Sequence, residues 1–278
     1  MPNTASFSVL LSLYHKESPL FLDLCFQSLQ SQTILANEII LVIDGPIGSD
    51  LKETVTKWVN ILPITIIPIN ENIGLGRALN IGIHNCSHEW IFRMDTDDIC
   101  VSNRFEKQLQ FISNNADIVL FGGQILEFNA SVEDAVSIKF VPESLKDIKK
   151  FSINRCPFNH MTVAYRKSVI SQLGGYQHHL FMEDYNLWLR VIGNNYKVAN
   201  LPDILLYARV GNGMYKRRRG WEYIKSEKQL AKLKYKLEIQ NYFASYISFI
   251  IRSIARLLPS KLLGIFYTKL LRKSFNKN

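Results

Sequence analysis

The densest group of chemistry-bearing side chains is the acidic run Asp95-Thr96-Asp97-Asp98. It follows the apolar residues 90–94, which predict a buried strand, so the run is expected just beyond a strand end. In extended backbone Asp95 and Asp97 point to the same side. Carboxylate oxygens are the ligands that Mg²⁺ and Mn²⁺ prefer, and these ions often arrive bound to a phosphate. A surface turn in which Asp98 caps the next helix explains the run equally well by itself.

A second candidate is the segment 72–80, NIGLGRALN, in which two glycines lead into a predicted helix that carries a cation. Glycines at a helix start allow a nucleotide to approach the backbone closely. The segment is neither a Walker loop nor a GxGxxG motif. An ordinary helix N-terminus remains an alternative interpretation.

The third candidate is the adjacent pair Glu183-Asp184, which opens a predicted amphipathic helix. A single carboxylate that faces a sugar acceptor can remove a hydroxyl proton. Helix capping explains the same residues without any catalysis.

The elements that must position these residues alternate along the chain. Apolar runs predict strands over 7–14, 38–43, 65–69, 90–94 and 118–128, and helical spacing predicts helices over 19–32, 51–59, 75–83 and 104–112. After about residue 140 we expect helices over 145–151, 167–173 and 184–193, with extended segments over 161–166 and 204–209. This alternation predicts an α/β fold, a mainly parallel central sheet between helices. Ligands bind such sheets at the carboxyl ends of strands, where Asp44 and the acidic run both fall.

The charge of the chain is concentrated at its end. The 278 residues carry a net charge of +9, but residues 216–278 hold 16 basic and only three acidic residues. Over 242–258 the polar and basic residues share one helical face and large apolar residues the other, and 261–273 repeats this pattern less cleanly. This favours a helix lying in the plane of an anionic membrane surface. Packing on the globule is the alternative, and no nucleic-acid partner is expected.

The composition indicates which broad class of protein this chain belongs to. The apolar share is 47%, which is typical of a globular chain, and the four cysteines are irregularly spaced without a CxxC pair. No uncharged apolar stretch approaches the length that crosses a bilayer. We therefore expect a cytoplasmic protein, peripheral on the cytoplasmic face of the inner membrane.

Five segments in this order resemble the inverting family-2 glycosyltransferases of GT-A fold, in particular their bacterial O-antigen, capsule and exopolysaccharide branch. The segments are SVLLSLYHKESP at 8–19, EIILVIDGP at 38–46, NENIGLGRALNIGI at 70–83, FRMDTDDI at 92–99, and GGYQ with FMEDYNLWLRV between 174 and 191. The resemblance covers roughly residues 6–215. It implies a GT-A domain over 1–215, with a nucleotide-sugar half (1–100) and an acceptor half (101–215). Residues 216–278 would form a basic, amphipathic helical extension.

The resemblance also implies roles for individual residues. Asp184 would be the general base, Asp97 with Asp95 would hold Mn²⁺ or Mg²⁺, and Asp44 would accept a hydrogen bond from uracil. The nucleotide-sugar contacts would be Tyr14, Glu17, Asp44, Asn72, Gly74, Arg77 and Asp95. The acceptor contacts would be Glu183, Trp188 and His160, and the diphosphate contacts Arg209, Arg217 and Arg218.

Two departures from the family pattern bear on the activity. Many relatives have a second acidic residue where Ile43 stands, and the Gln-x-x-Arg-Trp motif of processive synthases is absent, because residues 217–221 read RRRGW. Transfer of a single sugar is therefore the expected activity.

The expected function is non-processive, inverting transfer of one hexose, glucose or galactose, from a UDP-sugar to a lipid-diphosphate-linked saccharide of the undecaprenyl type. A metal neutralises the leaving diphosphate, and one base then suffices for attack from the opposite face, which gives a β-linkage. A glycoside hydrolase would instead need two flanking carboxylates. The alternatives are a sugar nucleotidyltransferase and a catalytically inactive sugar-nucleotide-binding protein.

Overall fold

Strands and helices alternate through the part of the chain that the computed structural model describes, residues 5–210, 220–257 and 273–274. The first half contains β1 (Phe7–Leu13), α1 (Pro19–Gln30), β2 (Glu38–Asp44), α2 (Ser49–Val59), β3 (Ile64–Ile69), α3 (Leu75–Asn85), β4 (Trp90–Arg93), β5 (Ile99–Cys100) and α4 (Arg104–Asn114). The second half contains β6 (Ile118–Phe128), β7 (Ala135–Lys139), α5 (Leu145–Ser152), β8 (Ala164–Arg166), α6 (Lys167–Gln172), α7 (Glu183–Gly193), β9 (Lys197–Arg209), α8 (Trp221–Lys236), α9 (Tyr242–Leu257) and β10 (Lys273–Ser274).

One mixed sheet joins these strands in the order β10-β7-β6-β8-β4-β1-β2-β3. The strands β3, β2, β1 and β4 are mutually parallel, whereas β8 pairs antiparallel with both β4 and β6. β9 runs parallel to β6 and antiparallel to β5. The expected α/β architecture is thus confirmed, and the ends of its parallel strands carry Asp44 and the acidic run.

Helices cover both faces of the sheet, which explains why the parallel strands are apolar throughout. Alternate residues of β1 enter opposite cores: Val9 and Leu11 pack on the side that contains Phe26 of α1, and Leu10 packs with Leu79 of α3. A one-residue slip of a strand buried on two faces would move every side chain into the opposite core, where its packing partners differ. The carboxyl ends of β1, β2 and β4 are therefore fixed side by side at one edge.

The second half differs from the sequence prediction in three places, the first of which is β7 (Ala135–Lys139), a strand that the sequence did not predict. The prediction of an extended segment over 161–166 is wrong at the start of that segment, because His160–Thr162 forms a 3₁₀ turn. Thr162 Oγ1 accepts the Gly123 N–H at 3.1 Å and donates to the Asn159 carbonyl at 2.8 Å, which holds this turn. β9 begins at Lys197 rather than near 204, since it pairs with β6 from Ile118 onward.

Among the described residues, no helix has the length and apolarity that a membrane span requires.

Helices α7, α8 and α9 all bind the same end of α5. Three consecutive carbonyls there accept side-chain hydrogen bonds, one from each helix: Tyr185 Oη to Ser152, Lys234 Nζ to Ile153 and Arg252 Nη1 to Asn154. Two of the donors are cations, which the negative end of a helix dipole favours. The described part of the C-terminal extension is therefore docked on the second half of the sheet domain.

Lys234 lowers the stability of the fold when its ammonium is charged, because the residue is only 2% exposed. Burial, and then the charge of Arg252, lower the pKa of its ammonium to about 7, while Glu227 raises it. Between pH 7 and the ordinary lysine pKa of 10.5, the unfolded chain binds one more proton than the folded chain at this residue. Lys234 therefore destabilises the fold fully below pH 7, and the cost is relieved as pH rises.

We predict that Lys234→Met removes this pH dependence. The free energy of unfolding of the wild type, relative to the variant, should rise from pH 7 to pH 10 by up to about 1.4 kcal/mol per pH unit. Urea unfolding at each pH measures the difference. The matched control is Lys232→Met on the exposed side of the same helix, whose stability should run parallel to that of the wild type. Parallel curves for Lys234→Met would show that the ammonium stays charged in the folded protein.

Candidate active site

Three carboxylates converge in the loop between β4 and β5. Their oxygens, one each from Asp95, Asp97 and Asp98, lie within 4.8 Å of one another. Asp98 is 2% exposed; its Oδ1 accepts the Arg209 backbone N–H at 2.9 Å, and its Oδ2 has no hydrogen-bond partner among the described residues. An all-oxygen donor set with an unsatisfied buried carboxylate fits a hard divalent cation.

Asp98 is a residue that sequence analysis missed as a candidate ligand. The alternative role considered for it, capping the next helix, is wrong, because α4 begins only at Arg104 after an Asn103 cap position. Asp98 was visible in the sequence as the third carboxylate of the run. The direction of its side chain, however, depends on the two-residue strand β5 that follows.

The electrostatics of the cluster show a local excess of negative charge. Burial and the charges of Asp95 and Glu17 raise the pKa of Asp97 to about 7. Burial, followed by the charges of Asp95 and Asp97, raises the pKa of Asp98 well above its usual range. Carboxylates shifted in this direction lack full compensation by the protein, and a bound cation would supply it.

The main internal compensation is Arg93, a second residue that sequence analysis missed. It is 1% exposed, and its Nη2 donates to Asp95 Oδ1 in an ion pair. Its Nε and Nη1 have no hydrogen-bond partner among the described residues. A charged residue inside the otherwise apolar run 90–94 is the signal that identifies it, since buried arginines are rare unless paired.

Glu17 connects the end of β1 to the acidic loop. Its Oε2 accepts the Thr96 hydroxyl at 2.6 Å, and its Oε1 accepts the Ser18 N–H at 2.8 Å. Tyr14 lies at the same end of β1 and is 38% exposed. Both residues that were expected beside a nucleobase thus lie next to the candidate metal ligands, because β1 and β4 are neighbours in the sheet.

Asp44 holds the loop that precedes α3. Its carboxylate is 3% exposed and accepts hydrogen bonds from the Ile73 N–H (2.8 Å), the Gly74 N–H (3.1 Å) and the Asn72 side chain (3.0 Å). A uracil contact for Asp44 stays a prediction; three of its acceptor positions already bind the loop. Gly45 follows with φ +86°, and a Cβ there would lie 2.7 Å from the Asn72 nitrogen, so glycine is required at this approach.

Helix α3 lies directly against the start of α7. A Cβ at Gly76 would lie 3.2 Å from Glu183 Cγ, so this glycine allows the glutamate to reach the helix. Burial raises the pKa of Glu183, and the charge of Asp184 adds to the effect. Arg77 lies exposed on the same first turn of α3. The two candidate motifs at 72–80 and 183–184 are therefore neighbours in space.

Asp184 lies in the first turn of α7, where its carboxylate accepts a hydrogen bond from a buried thiol. The Cys156 thiol donates to Asp184 Oδ2 at 3.5 Å, and burial together with the Asp184 charge raises the pKa of that thiol, which keeps it protonated. Burial raises the pKa of the Tyr176 hydroxyl, Arg93 lowers it, and the charges of Asp184 and Asp95 raise it further. The negative charges of Asp184 and Asp95 thus both disfavour ionisation of this phenol.

The loop before Asp184 is braced by α8. Phe181 has φ +66°, a strained value for a residue with a bulky side chain, and its ring stacks on Tyr223 at 5.1 Å between centroids. Ser226 donates to the Leu180 carbonyl at 2.7 Å, and its own carbonyl is 2.8 Å from His179 Nε2. The sequence did not predict this brace, because it joins residues more than 40 positions apart.

Two residues expected at the acceptor have different surroundings. Trp188 is fully buried and packs against Phe158, His160 and Tyr176, so a direct acceptor contact is wrong. Its helix turns it inward, beneath the candidate site. His160 Nε2 is 2.7 Å from the Tyr176 hydroxyl, and burial, then the charge of Arg93, lowers the pKa of its imidazole well below the usual value. A neutral His160 therefore orients Tyr176.

The basic residues expected at the diphosphate divide into two groups. Arg209 stacks between Phe21 (3.8 Å to the ring centroid) and Phe128 (4.5 Å) and donates to the carbonyls of Asp97 and Ala130. Its guanidinium holds the acidic loop, and a phosphate contact for Arg209 stays a prediction. Arg217 and Arg218 lie outside the described residues.

Comparison with known proteins matches the model of glycosyl transferase family 2 over residues 8–174. An uncharacterized glycosyltransferase of Haemophilus influenzae is 51% identical, covering 96% of this chain and 99% of that protein. The amylovoran biosynthesis glycosyltransferase AmsE of Erwinia amylovora is 47% identical over 95% and 98%. The UDP-Gal:alpha-D-GlcNAc-diphosphoundecaprenol beta-1,3-galactosyltransferase of Escherichia coli is 37% identical, with 98% of each chain covered.

Solved structures agree in fold. Staphylococcus aureus TarS 1-349 in complex with UDP-GlcNAc superposes with a TM-score of 0.69 at 17% identity, covering 95% of this chain and 76% of that one. The mannosyltransferase PcManGT of Pyrobaculum calidifontis, in complex with GDP-Man and Mn²⁺, gives a TM-score of 0.64 at 13% identity, with 97% and 81% covered. The family match, the end-to-end relatives and the fold together confirm the resemblance seen in the sequence: this chain belongs to glycosyl transferase family 2 and is a glycosyltransferase of GT-A fold.

Proposed function

We propose that this glycosyltransferase moves one hexose, glucose or galactose, from a UDP-sugar to a lipid-diphosphate-linked saccharide at the cytoplasmic face of the inner membrane. The product would be a β-linked repeat-unit precursor of an O-antigen or another surface polysaccharide. The observation that carries the proposal is the cluster of three carboxylates, Asp95, Asp97 and Asp98, at the end of β4 in a chain of this family. The name of the Escherichia coli relative, which specifies a UDP-Gal donor and a GlcNAc-diphosphoundecaprenol acceptor, supports the substrate classes.

The donor side of the mechanism rests on Asp95, Asp97 and Asp98. A divalent cation held there, Mn²⁺ or Mg²⁺, supplies neutralisation of the negative charge that develops on a nucleoside-diphosphate leaving group. Arg93 keeps the Asp95 carboxylate in place through its buried ion pair. Asp44 keeps the loop before α3 fixed, and Arg77, Tyr14, Glu17 and Asp44 would contact the nucleotide.

The acceptor side rests on Asp184. Its carboxylate accepts the proton of the acceptor hydroxyl as that oxygen attacks the anomeric carbon from the face opposite the diphosphate. The Cys156 thiol donates to one of its oxygens, which leaves the other for the acceptor. Glu183, which lies against Gly76, would bind an acceptor hydroxyl.

The donor assignment predicts that Asp97→Asn abolishes turnover and weakens Mn²⁺-dependent UDP binding by at least about tenfold, since one metal ligand is lost. Isothermal titration of UDP with and without Mn²⁺ measures the binding. The control is Glu53→Gln, which removes an exposed carboxylate from α2 and should bind UDP as the wild type does. Equal Mn²⁺-dependent affinity in Asp97→Asn and wild type would exclude Asp97 as a ligand.

The base assignment predicts that Asp184→Asn lowers kcat by about 10²–10⁴ and spares UDP binding. Glu183→Gln, the matched neighbour, should raise the acceptor KM with a much smaller effect on kcat. UDP release from UDP-galactose or UDP-glucose with a GlcNAc-diphosphate-lipid analogue measures both. Near-normal kcat in Asp184→Asn would make the base assignment wrong. Pyrophosphate release instead of UDP would indicate a nucleotidyltransferase, and no release with any sugar nucleotide would indicate an inactive binding protein.

A further inference from the structure

Helix α9 packs with its amphipathic faces reversed relative to an ordinary surface helix. Its polar side faces the protein: Ser245 is 3% exposed, and Arg252 forms an ion pair with the buried Glu227. Its apolar side faces outward, as the exposed fractions show: Tyr242 59%, Phe243 78%, Tyr246 54%, Ile247 57%, Ile250 42%, Ile251 63% and Ile254 58%. We call these seven residues the α9 ridge.

This orientation bears on two expectations from the sequence: the position of Arg252 and the way in which the helix meets the protein. Arg252 was expected beside a lipid-facing surface, but its guanidinium binds Glu227 and the Asn154 carbonyl instead. The helix does pack on the globule, yet it does so through its polar face. A helix that only fills a packing site buries its apolar stripe, whereas no part of the chain that the structure describes covers the ridge.

The surroundings of the ridge indicate what that partner is. The aromatic rings continue from Tyr242 onto α8 through Tyr235, at 5.8 Å between centroids. Lys228 and Lys232 are exposed on the face of α8 that helical spacing gives to Tyr235. Helix α9 contains no acidic residue, and residues 216–278 hold 16 basic against three acidic residues. An apolar ridge with aromatic residues and exposed lysines beside it matches an anionic lipid interface.

We propose that the α9 ridge inserts into the headgroup and upper acyl layer of an anionic bilayer, with the helix axis parallel to the membrane. Sixteen residues give a helix about 24 Å long, which lies in the interface and does not cross it. A second copy of the chain fits less well, because ridge-to-ridge contact would bring two strongly basic segments together. The proposal deepens the proposed function and rests on it for the lipid-linked acceptor.

The helices that form the proposed membrane-binding surface also contact the loop that precedes the candidate base, Asp184. Helix α8 carries Lys228 and Lys232 and also braces the loop before Asp184 through Tyr223 and Ser226. A bilayer bound at α8 and α9 therefore lies one helix layer from α7. A saccharide attached to a membrane lipid would reach the site from that side.

The test is co-sedimentation of the full chain with vesicles of phosphatidylcholine alone and of phosphatidylcholine mixed with phosphatidylglycerol. The wild type should bind the anionic vesicles, and high salt should weaken the binding without abolishing it. Ile247→Glu with Ile251→Glu should bind them at least about tenfold more weakly. The matched control is Leu35→Glu with Ile61→Glu, two apolar residues of similar exposure, 57% and 48%, elsewhere on the surface. This control variant makes the same change in charge and should bind the anionic vesicles as the wild type does.

Circular dichroism and thermal unfolding establish that each variant is folded; Phe243→Gln with Tyr246→Gln is a second ridge variant without added charge. Equal loss of binding in the ridge and control pairs would overturn the proposal, as would ridge variants that bind normally. A wild type that ignores the vesicles and dimerises through the ridge, with Ile247→Glu and Ile251→Glu giving monomers, would instead identify a second copy as the partner. Vesicle binding needs no sugar nucleotide, so its outcome is independent of UDP release.

Discussion

The buried guanidinium of Arg93 is the point on which the two halves of the active site depend. It lies at the end of β4 and pairs with Asp95 of the acidic loop, and its charge acts to lower the pKa values of His160 and Tyr176. A buried cation is tolerated only where anions compensate it, and here the anions are the carboxylates of the candidate active site. The stability of this region and its electrostatics therefore rest on the same few charges.

The acidic loop is held from several directions, which limits how far its carboxylates can move apart. Glu17 binds Thr96 from the end of β1, and Arg209 binds the Asp97 carbonyl from the end of β9 while stacking between two phenylalanines. Carboxylates forced together in this way gain from a divalent cation. The preorganisation comes from the surrounding strands, since the loop itself has few internal bonds.

The C-terminal helices belong to the active site as much as to the surface. Helix α8 holds the strained backbone at Phe181 just before Asp184, and α9 is attached to α8 through Arg252 and the buried Glu227. This arrangement gives a physical reason for a reversed amphipathic helix: its polar face supplies the internal ion pair, and its apolar face is left for the partner. Helices α8 and α9 would then serve both to attach the protein to a membrane and to position the proposed base, Asp184.

The sequence by itself determined the α/β alternation, the strand ends that carry Asp44 and Asp95, the helix start at Asp184 and the family. These features are local: apolar runs, glycines and carboxylates are legible along the chain because they act within a few residues of one another. Tertiary structure alone decided the role of Arg93, the turning of Trp188 into the core, the use of Arg209 as a brace, and the direction of the two faces of α9. Arg209 and Arg252 depend on partners far along the chain, Asp97 and Glu227. Arg93 pairs with a near neighbour, Asp95, but its burial is set by the surrounding sheet. The helical pattern of α9 defines two faces without specifying which of them meets the protein.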